Sequence, residues 1–203
     1  MIYLAVAPCA VIYLAVAPCA TIEKENPMSE SGGLKSFTIN TAITNAIILS
    51  VENSFSMCEL PVRVVGLSKV PVTLSNANVT GMIGMNGRCS GFMTLTLTEH
   101  IAVMAVSGLI QDAFSKINSQ VVDGVGELTN IICGGLKTRL SNTPWALDNI
   151  TIPSVILGSN YNISYAKGIE FGSVMFEIDD PETLSIHDRL FLVTTSLMQT
   201  PSK

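Results

Sequence analysis

The sequence predicts an α+β domain in which an antiparallel sheet carries long helices packed together on one face. The first observation is the order of the predicted elements: a helix, two or more strands, two helices and then three strands. The second is Asn86-Gly87 between two β-rich runs, the dipeptide most typical of an antiparallel hairpin. The chain has 203 residues, 48% hydrophobic and 13% charged, enough for one domain with a full core. We expect that domain over residues 38–198, with residues 1–37 outside it.

The first predicted helix begins at Ile39, because apolar residues recur from there at helical spacing. It should end near Cys58, since Pro61 cannot continue a helix. Two short β-rich runs follow, Val62–Leu67 and Val70–Leu74, and both are expected to form strands.

The predicted hairpin has Val79–Met85 and Arg88–Thr98 as its strands. Thr98 has the hydroxyl that an N-cap needs, so the next helix is expected to follow it and to run to about Leu109. One side of that helix should carry apolar residues spaced three and four apart: Ile101, Met104, Ala105 and Leu109.

The last part of the chain contains three β-rich segments, Ile152–Leu157, Ile169–Ile178 and Arg189–Leu197. The loop Asp179–Asp188, which holds Pro181, separates the last two. These segments complete the predicted antiparallel sheet.

A helix predicted over about Asn118–Leu140 has two different faces. Residues advance about 100° each in an α-helix, so one stripe roughly 80° wide collects five residues: Asp123, Glu127, Asn130, Gly134 and Lys137. The opposite face carries apolar residues spaced as in a buried stripe: Val121, Val125, Leu128, Ile132 and Leu136. Judged on the helix alone, the polar stripe is typical of a solvated surface.

Two adjacent glycines, Gly134 and Gly135, lie in the interior of this helix. A glycine there costs about 1 kcal/mol relative to alanine. We therefore expect something to offset that cost, such as the close approach of another surface to the helix.

Four polar or special residues recur at fixed intervals along this region. Asp123, Glu127 and Asn130 are four and three residues apart, and twenty-two residues separate Asn130 from Pro153. This spacing resembles the signature of the CheC/CheX/FliY chemotaxis phosphatases: Asp or Ser, three residues, Glu, two residues, Asn, twenty-two residues, Pro. A lone E-x-x-N occurs in many helices by chance, whereas four fixed positions are far more specific. The resemblance covers about residues 38–198, where the element order is also that of the family.

The resemblance implies a phosphatase that hydrolyses the phospho-aspartate of a CheY-type receiver domain in chemotaxis or another two-component pathway. It implies that Asn130 orients the attacking water and that Glu127 pairs with the receiver's active-site lysine. Mg²⁺ would belong to the receiver, and we expect no cofactor on this chain. Asp123 and Pro153 are interpreted as scaffolding, an acid in the first turn of a helix and a proline at the start of a strand.

The chain contains a single E-x-x-N motif in the expected context. In the first helix, where a second motif would lie in a CheC-like protein, Glu52 is followed directly by Asn53. One motif resembles CheX more than CheC, and CheX-type proteins pair into dimers. The resemblance therefore implies a homodimer, which we expect to be cytoplasmic. Two other functions stay open: a non-catalytic module that binds a receiver or a flagellar-motor protein, and a structural or membrane-tethered component.

Composition argues against several other classes of function. The net charge is −5 and no cluster of Lys or Arg is present, which argues against nucleic-acid binding through a basic patch. His100 and His187 are too few and too scattered for a zinc site, and neither has a patterned nucleophile partner. There is no phosphate-binding Walker loop and no dinucleotide-binding glycine motif. The cysteines form no C-x-x-C pair, and three of them lie in apolar contexts typical of buried reduced thiols: Cys58, Cys89 and Cys133.

The first twenty residues are a tandem repeat whose only mismatch is Met1 against Val11. Translated upstream sequence would explain it, with Met28 as the true initiator. A membrane segment is a second interpretation, because twenty uncharged residues can cross a bilayer. It has no positive leading region, however, and Pro8 and Pro18 would each interrupt a helix. A cloning or assembly artefact is the third. Residues 22–36 are polar and resemble a flexible tail.

Overall fold

The computed structural model describes residues 39–159, 161, 163–165 and 168–200. The tandem repeat, the polar tail and the three interpretations of the first twenty residues lie outside this part of the chain. Within it, the elements follow in this order: α1 Thr41–Met57, β1 Val62–Ser68, β2 Ala77–Gly87, β3 Cys89–Thr98, α2 Glu99–Ile110, α3 Ser119–Leu140, β4 Leu147–Ile150, β5 Ser154–Leu157, β6 Glu170–Ile178, α4 Ile186–Arg189 and β7 Leu190–Gln199.

All strand pairs in the described residues are antiparallel and belong to one sheet. The strand order is β1-β6-β7-β3-β2-β4, and β5 also pairs with β2. The short strands β4 and β5 thus continue one edge of the sheet one after the other, along different parts of β2. This edge lies beside α3, which contacts β2, β4 and β5.

The three long helices pack on one face of the sheet, as the sequence predicts. Helix α3 contacts both α1 and α2, and all three contact strands. A stack of three fully buried aromatic rings ties α1 to the sheet: Phe191 of β7 lies 4.5 Å from Phe55 of α1 and 5.1 Å from Phe176 of β6, centroid to centroid. The predicted fold class, an antiparallel sheet with long helices on one face, is confirmed.

Each long helix begins at a side chain that caps its first turn. Asn40, Thr98 and Asn118 accept hydrogen bonds from the backbone N–H groups of residues 43, 101 and 121, at 3.2, 3.2 and 2.9 Å. These bonds satisfy donors that a helix start leaves free. The predicted starts of the second and third helices are therefore confirmed, and the capping side chains explain why the helices begin there.

The buried face of α2 differs from the predicted one. Ile101 and Ala105 are buried as expected, but Ala102 and Val106 complete the buried face. Met104 and Leu109 are only partly buried. The face is rotated because α2 must contact α3 as well as the sheet.

The run Val70–Leu74, predicted as a strand, is not one. Residues 71–74 instead line a cavity on the face of the sheet that faces away from the helices, together with Thr94 and Thr194. Pro71 gives a physical reason for the error, because proline has no N–H to donate to a neighbouring strand.

The hairpin between β2 and β3 is present, but its turn is not Asn86-Gly87. Asn86 pairs with Ser90, so the turn is centred on Arg88. Strand β2 continues through Asn86 and Gly87 because β4 pairs with both of them. The sequence prediction missed β4, and it also missed the single turn of α4 inside the predicted loop.

Cys58, Cys89 and Cys133 are buried and free, which confirms their interpretation as reduced core thiols. Burial raises the pKa of Cys58 to about 11 and that of Cys133 to about 12. Both groups are therefore neutral thiols at physiological pH. No helix in the described part of the chain is long and apolar enough to cross a membrane.

A hydrogen-bonded cluster centred on the carboxylate of Asp180 joins the loop before α4 to the start of α2. Asp180 accepts hydrogen bonds from Thr183 at 2.5 Å and from the backbone N–H of Glu182 at 3.1 Å, and its carboxylate lies 3.1 Å from His100 Nε2. The bonds from Thr183 and His100 are the main cause that lowers the pKa of Asp180 to about 2.

This cluster predicts an acid-dependent contribution to stability. A carboxyl whose pKa is lowered by folding stabilises the folded state above its unfolded pKa near 4 and loses that effect as the pH falls toward 2. We expect Asp180→Asn to destabilise the protein by about 1 kcal/mol at pH 7. The difference from wild type should shrink between pH 4 and pH 2, as measured by thermal unfolding. A difference that stays constant across that range would contradict the assignment.

Candidate functional site

Helix α3 presents its polar stripe outward because its other faces are held by the rest of the domain. The five residues predicted for the opposite face are fully buried: Val121, Val125, Leu128, Ile132 and Leu136. Asp123 and Glu127 are exposed, and Asn130 is half-buried. The amphipathic interpretation of this helix is confirmed, but the interpretation of Asp123 as an acid in the first turn is wrong, because the helix begins at Ser119 and Asp123 lies in its second turn.

The two residues expected to carry the chemistry are brought together on this stripe. Glu127 and Asn130 are three residues apart, so their side chains leave the same side of α3 less than one turn apart. Among the described residues, the ion pairs involve the carboxylates of Glu170, Glu177 and Asp180, and no hydrogen bond engages the side chain of Glu127 or Asn130. Both groups are therefore available to a partner.

Pro153 lies beside the helix, next to the stripe. A Cβ built on Gly126 would lie 3.8 Å from Pro153 Cγ and 3.8 Å from Val155 Cγ2. Pro153 directly precedes β5, as its interpretation as a strand start requires. Gly126 and Asn130 are four residues apart, so Pro153 borders the side of the stripe on which Asn130 lies. The adjacent Ile152 is 89% exposed.

Small residues seat the helix against three neighbours, and the sequence pointed to a close approach at only one of them, Gly135. A Cβ at Gly81 of β2 would collide with Thr129, whose hydroxyl is turned back to the Val125 carbonyl at 2.7 Å. A Cβ at Gly124 would collide with Val106 of α2. At Gly135 it would lie 2.9 Å from Ser50 Oγ of α1. These close contacts hold α3 against the sheet and against the other two long helices.

The stripe offers one carboxylate and one neutral amide on the outer surface of a rigid helix. The described residues contain no group of three or more His, Cys, Asp or Glu side chains able to hold a metal ion. A pair of groups that projects from a helix is suited to enter a pocket of another molecule. The described geometry thus leaves this pair open to contact with another molecule.

The comparisons with known proteins agree with this geometry. Residues 79–177 match the family model described as chemotaxis phosphatase CheX. The matched region runs from β2 to the end of β6 and contains all of α3, Pro153 and the strands that hold them. No curated protein sequence matches this chain.

Solved structures share the fold. A putative chemotaxis protein from Desulfovibrio vulgaris Hildenborough has a TM-score of 0.65 at 22% identity, over 79% of this chain and 99% of that one. Chemotaxis protein CheX from Vibrio vulnificus has a TM-score of 0.63 at 22% identity, over 76% and 98%. CheX from Borrelia burgdorferi, in a CheX-CheY-BeF3-Mg+2 complex, has a TM-score of 0.58 at 19% identity, over 77% and 96%. Residues 79–177 thus match the CheX family model across the helix that carries the signature, and the chain shares the fold of CheX and CheC-like proteins.

Proposed function

We propose that this protein hydrolyses the phospho-aspartate of a CheY-type receiver domain. The observation that carries the proposal is the exposed pair Glu127 and Asn130 on α3, a helix whose other faces are buried, in a chain whose residues 79–177 match the CheX family model. The pair has no partner among the described residues, and it keeps the spacing of the family signature through Pro153.

The reaction requires little of the phosphatase beyond the positioning of the attacking water. Water attacks the phosphorus, the bond between phosphorus and the aspartate oxygen breaks, and the products are an aspartate carboxylate and inorganic phosphate. An acyl phosphate is already reactive, so placing the water in line supplies much of the acceleration. The side-chain amide of Asn130 can accept a hydrogen bond from that water and donate another to a phosphoryl oxygen. It also remains neutral at any working pH.

The carboxylate of Glu127 gives the pair its second function. We propose that it pairs with the lysine of the receiver's active site and so holds Asn130 in register with the phosphoryl group. Three residues of separation on one helix allow both side chains to enter the same pocket. The Mg²⁺ of the reaction would be held by the receiver and would neutralise phosphoryl charge there.

The Borrelia structure supports the choice of partner. The crystal structure contains that CheX with CheY, BeF3 and Mg+2, and the shared fold covers 77% of this chain and 96% of the Borrelia chain. On this basis we propose a receiver domain as the partner of this chain. Homodimer formation and a cytoplasmic location remain predictions from the family resemblance.

Phosphate release from a phosphorylated receiver tests the proposal. We expect the purified full chain to accelerate loss of phosphate from a CheY-type receiver of the same genome by about tenfold or more, which corresponds to about 1.4 kcal/mol of barrier. The receivers would be phosphorylated with acetyl phosphate, freed of the donor, and followed with and without the chain. Complex formation without acceleration would favour the non-catalytic binding module. If the chain neither bound nor dephosphorylated any such receiver, the proposal would be refuted.

A further inference from the structure

Gly134 differs from the other helical glycines in the described part of the chain. A Cβ at any of the others would meet a neighbouring element: Gly108 faces Cys58, Gly124 faces Val106, Gly126 faces Pro153 and Gly135 faces Ser50. A Cβ at Gly134 would meet no described atom within 4 Å, apart from its own stretch of helix. The described fold therefore explains the absence of a side chain at Gly108, Gly124 and Gly135, where the nearest atoms would lie 2.0, 2.4 and 2.9 Å away. At Gly126 the contact of 3.8 Å would be an ordinary one, and at Gly134 the described fold makes no contact at all.

The position of Gly134 relates it directly to Asn130. The two residues are four apart, so they lie on the same stripe, separated by about 6 Å along the helix axis. Side chains of a helix lean toward its N-terminus, and a side chain at position 134 would therefore lean over the surface beside Asn130. The glycine leaves that surface open.

Thr138, one turn after Gly134, also projects little from the helix. The Thr138 hydroxyl donates a hydrogen bond to the Gly134 carbonyl at 3.0 Å, which holds this side chain against the helix backbone. Between Asn130 and Lys137, the next side chain of the stripe, the stripe therefore presents the backbone of Gly134. A partner surface can approach the helix closely there.

We propose that Gly134 is a positioning residue that admits the receiver's backbone beside Asn130 and so sets how far Asn130 reaches into the receiver's active site. This inference rests on the proposed function and adds a residue to it. Asparagine has a short side chain, so its amide can enter a partner's pocket only if the helix backbone itself comes close to the pocket's rim. Any side chain at position 134 would stand in that gap.

Two neighbouring glycines provide a matched experiment. Gly134→Ala should raise the melting temperature by about 2–4 °C, because alanine is favoured in an exposed helix position. It should lower kcat/KM for the phosphorylated receiver by about tenfold, as an added methyl group does in a tightly packed contact. Gly134→Leu should lower it further, with kcat reduced as well as KM raised, because Asn130 no longer reaches its place.

Gly135→Ala should show the reverse pattern. Its Cβ would press on the buried Ser50, whose hydroxyl donates to the Ala46 carbonyl at 2.6 Å. The melting temperature should fall, while kcat/KM per folded molecule stays near the wild-type value. If Gly134 were needed only for the fold, Gly134→Ala would instead have a lower melting temperature than wild type.

The results separate this inference from the function on which it rests. If wild type and Gly134→Ala dephosphorylate the receiver equally well, or if Gly134→Ala is less stable than wild type, the positioning role of Gly134 is overturned and the phosphatase proposal stands. If the wild-type chain itself gives no acceleration, both fall. Higher stability combined with weaker dephosphorylation in Gly134→Ala supports the inference.

Discussion

Replacing Asn130 with alanine is expected to lower the accelerated rate of receiver dephosphorylation by about 10²-fold or more, the range seen when one oriented hydrogen-bond donor is removed from a reacting centre. The side chain is half-buried on an exposed stripe and makes no hydrogen bond within the described residues. The substitution should therefore leave the free energy of unfolding within about 0.5 kcal/mol of wild type. Phosphate release and thermal unfolding, measured on the same preparations, check both expectations.

Two further variants, compared with Asn130→Ala, separate the roles of the side chains on this helix. Glu127→Ala should chiefly raise the concentration of chain needed for half-maximal acceleration, because it removes the proposed pairing with the receiver's lysine. Asn130→Ala should retain binding and lose turnover. Gln120→Ala removes an exposed amide from the first turn of the same helix, about 15 Å from Asn130 along the axis, and should change neither. Equal rates for wild type and Asn130→Ala would refute the catalytic assignment.

Phe191→Ala is expected to produce the largest loss of stability, about 3–5 kcal/mol, the usual cost of removing a buried aromatic ring from a core. Phe191 is fully buried and stacks between Phe55 and Phe176, so its loss opens a cavity at the junction of α1, β6 and β7. Chemical denaturation should show a lower midpoint with a similar slope, since the surface exposed on unfolding changes little.

Phe92→Ala is the matched control for this prediction. Phe92 lies on β3, next to β7, but it is only partly buried and stacks on Tyr165 at 5.8 Å. We expect its removal to cost roughly 1–2 kcal/mol, because a half-buried ring has less contact to lose. If the two variants lost equal stability, the three-ring stack would not be the main link between α1 and the sheet.

Helix α3 could be predicted closely from the sequence, for a local reason. Its cap, its end and its two faces depend on residues within a few turns of one another. The period of 3.6 residues per turn determines which of these residues lie on the same side of the helix. Asn118 caps the helix, Leu140 ends it, and Glu127 and Asn130 lie on its outer stripe. The same spacing, extended to Pro153, pointed to the family.

The errors arose where the structure depends on distant segments. The dipeptide Asn86-Gly87 is a strong local turn signal, yet both residues lie in β2 because β4, some sixty residues later in sequence, pairs with them. The run Val70–Leu74 has strand-like residues but pairs with no strand, and Pro71 within it cannot donate a backbone hydrogen bond. Local preference yields to the hydrogen bonds that the whole sheet can offer.

The sequence by itself determined the fold class, the amphipathic helix and the identity of the two outward groups, because periodicity and residue chemistry are properties of short stretches of chain. Only the tertiary structure distinguished the adjacent glycines. Gly135 is held against α1 by Ser50, whereas Gly134 faces away from the described fold, beside Asn130. That difference depends on which parts of the chain meet in space. No local pattern carries that information, since neighbouring residues on a helix can face entirely different surroundings.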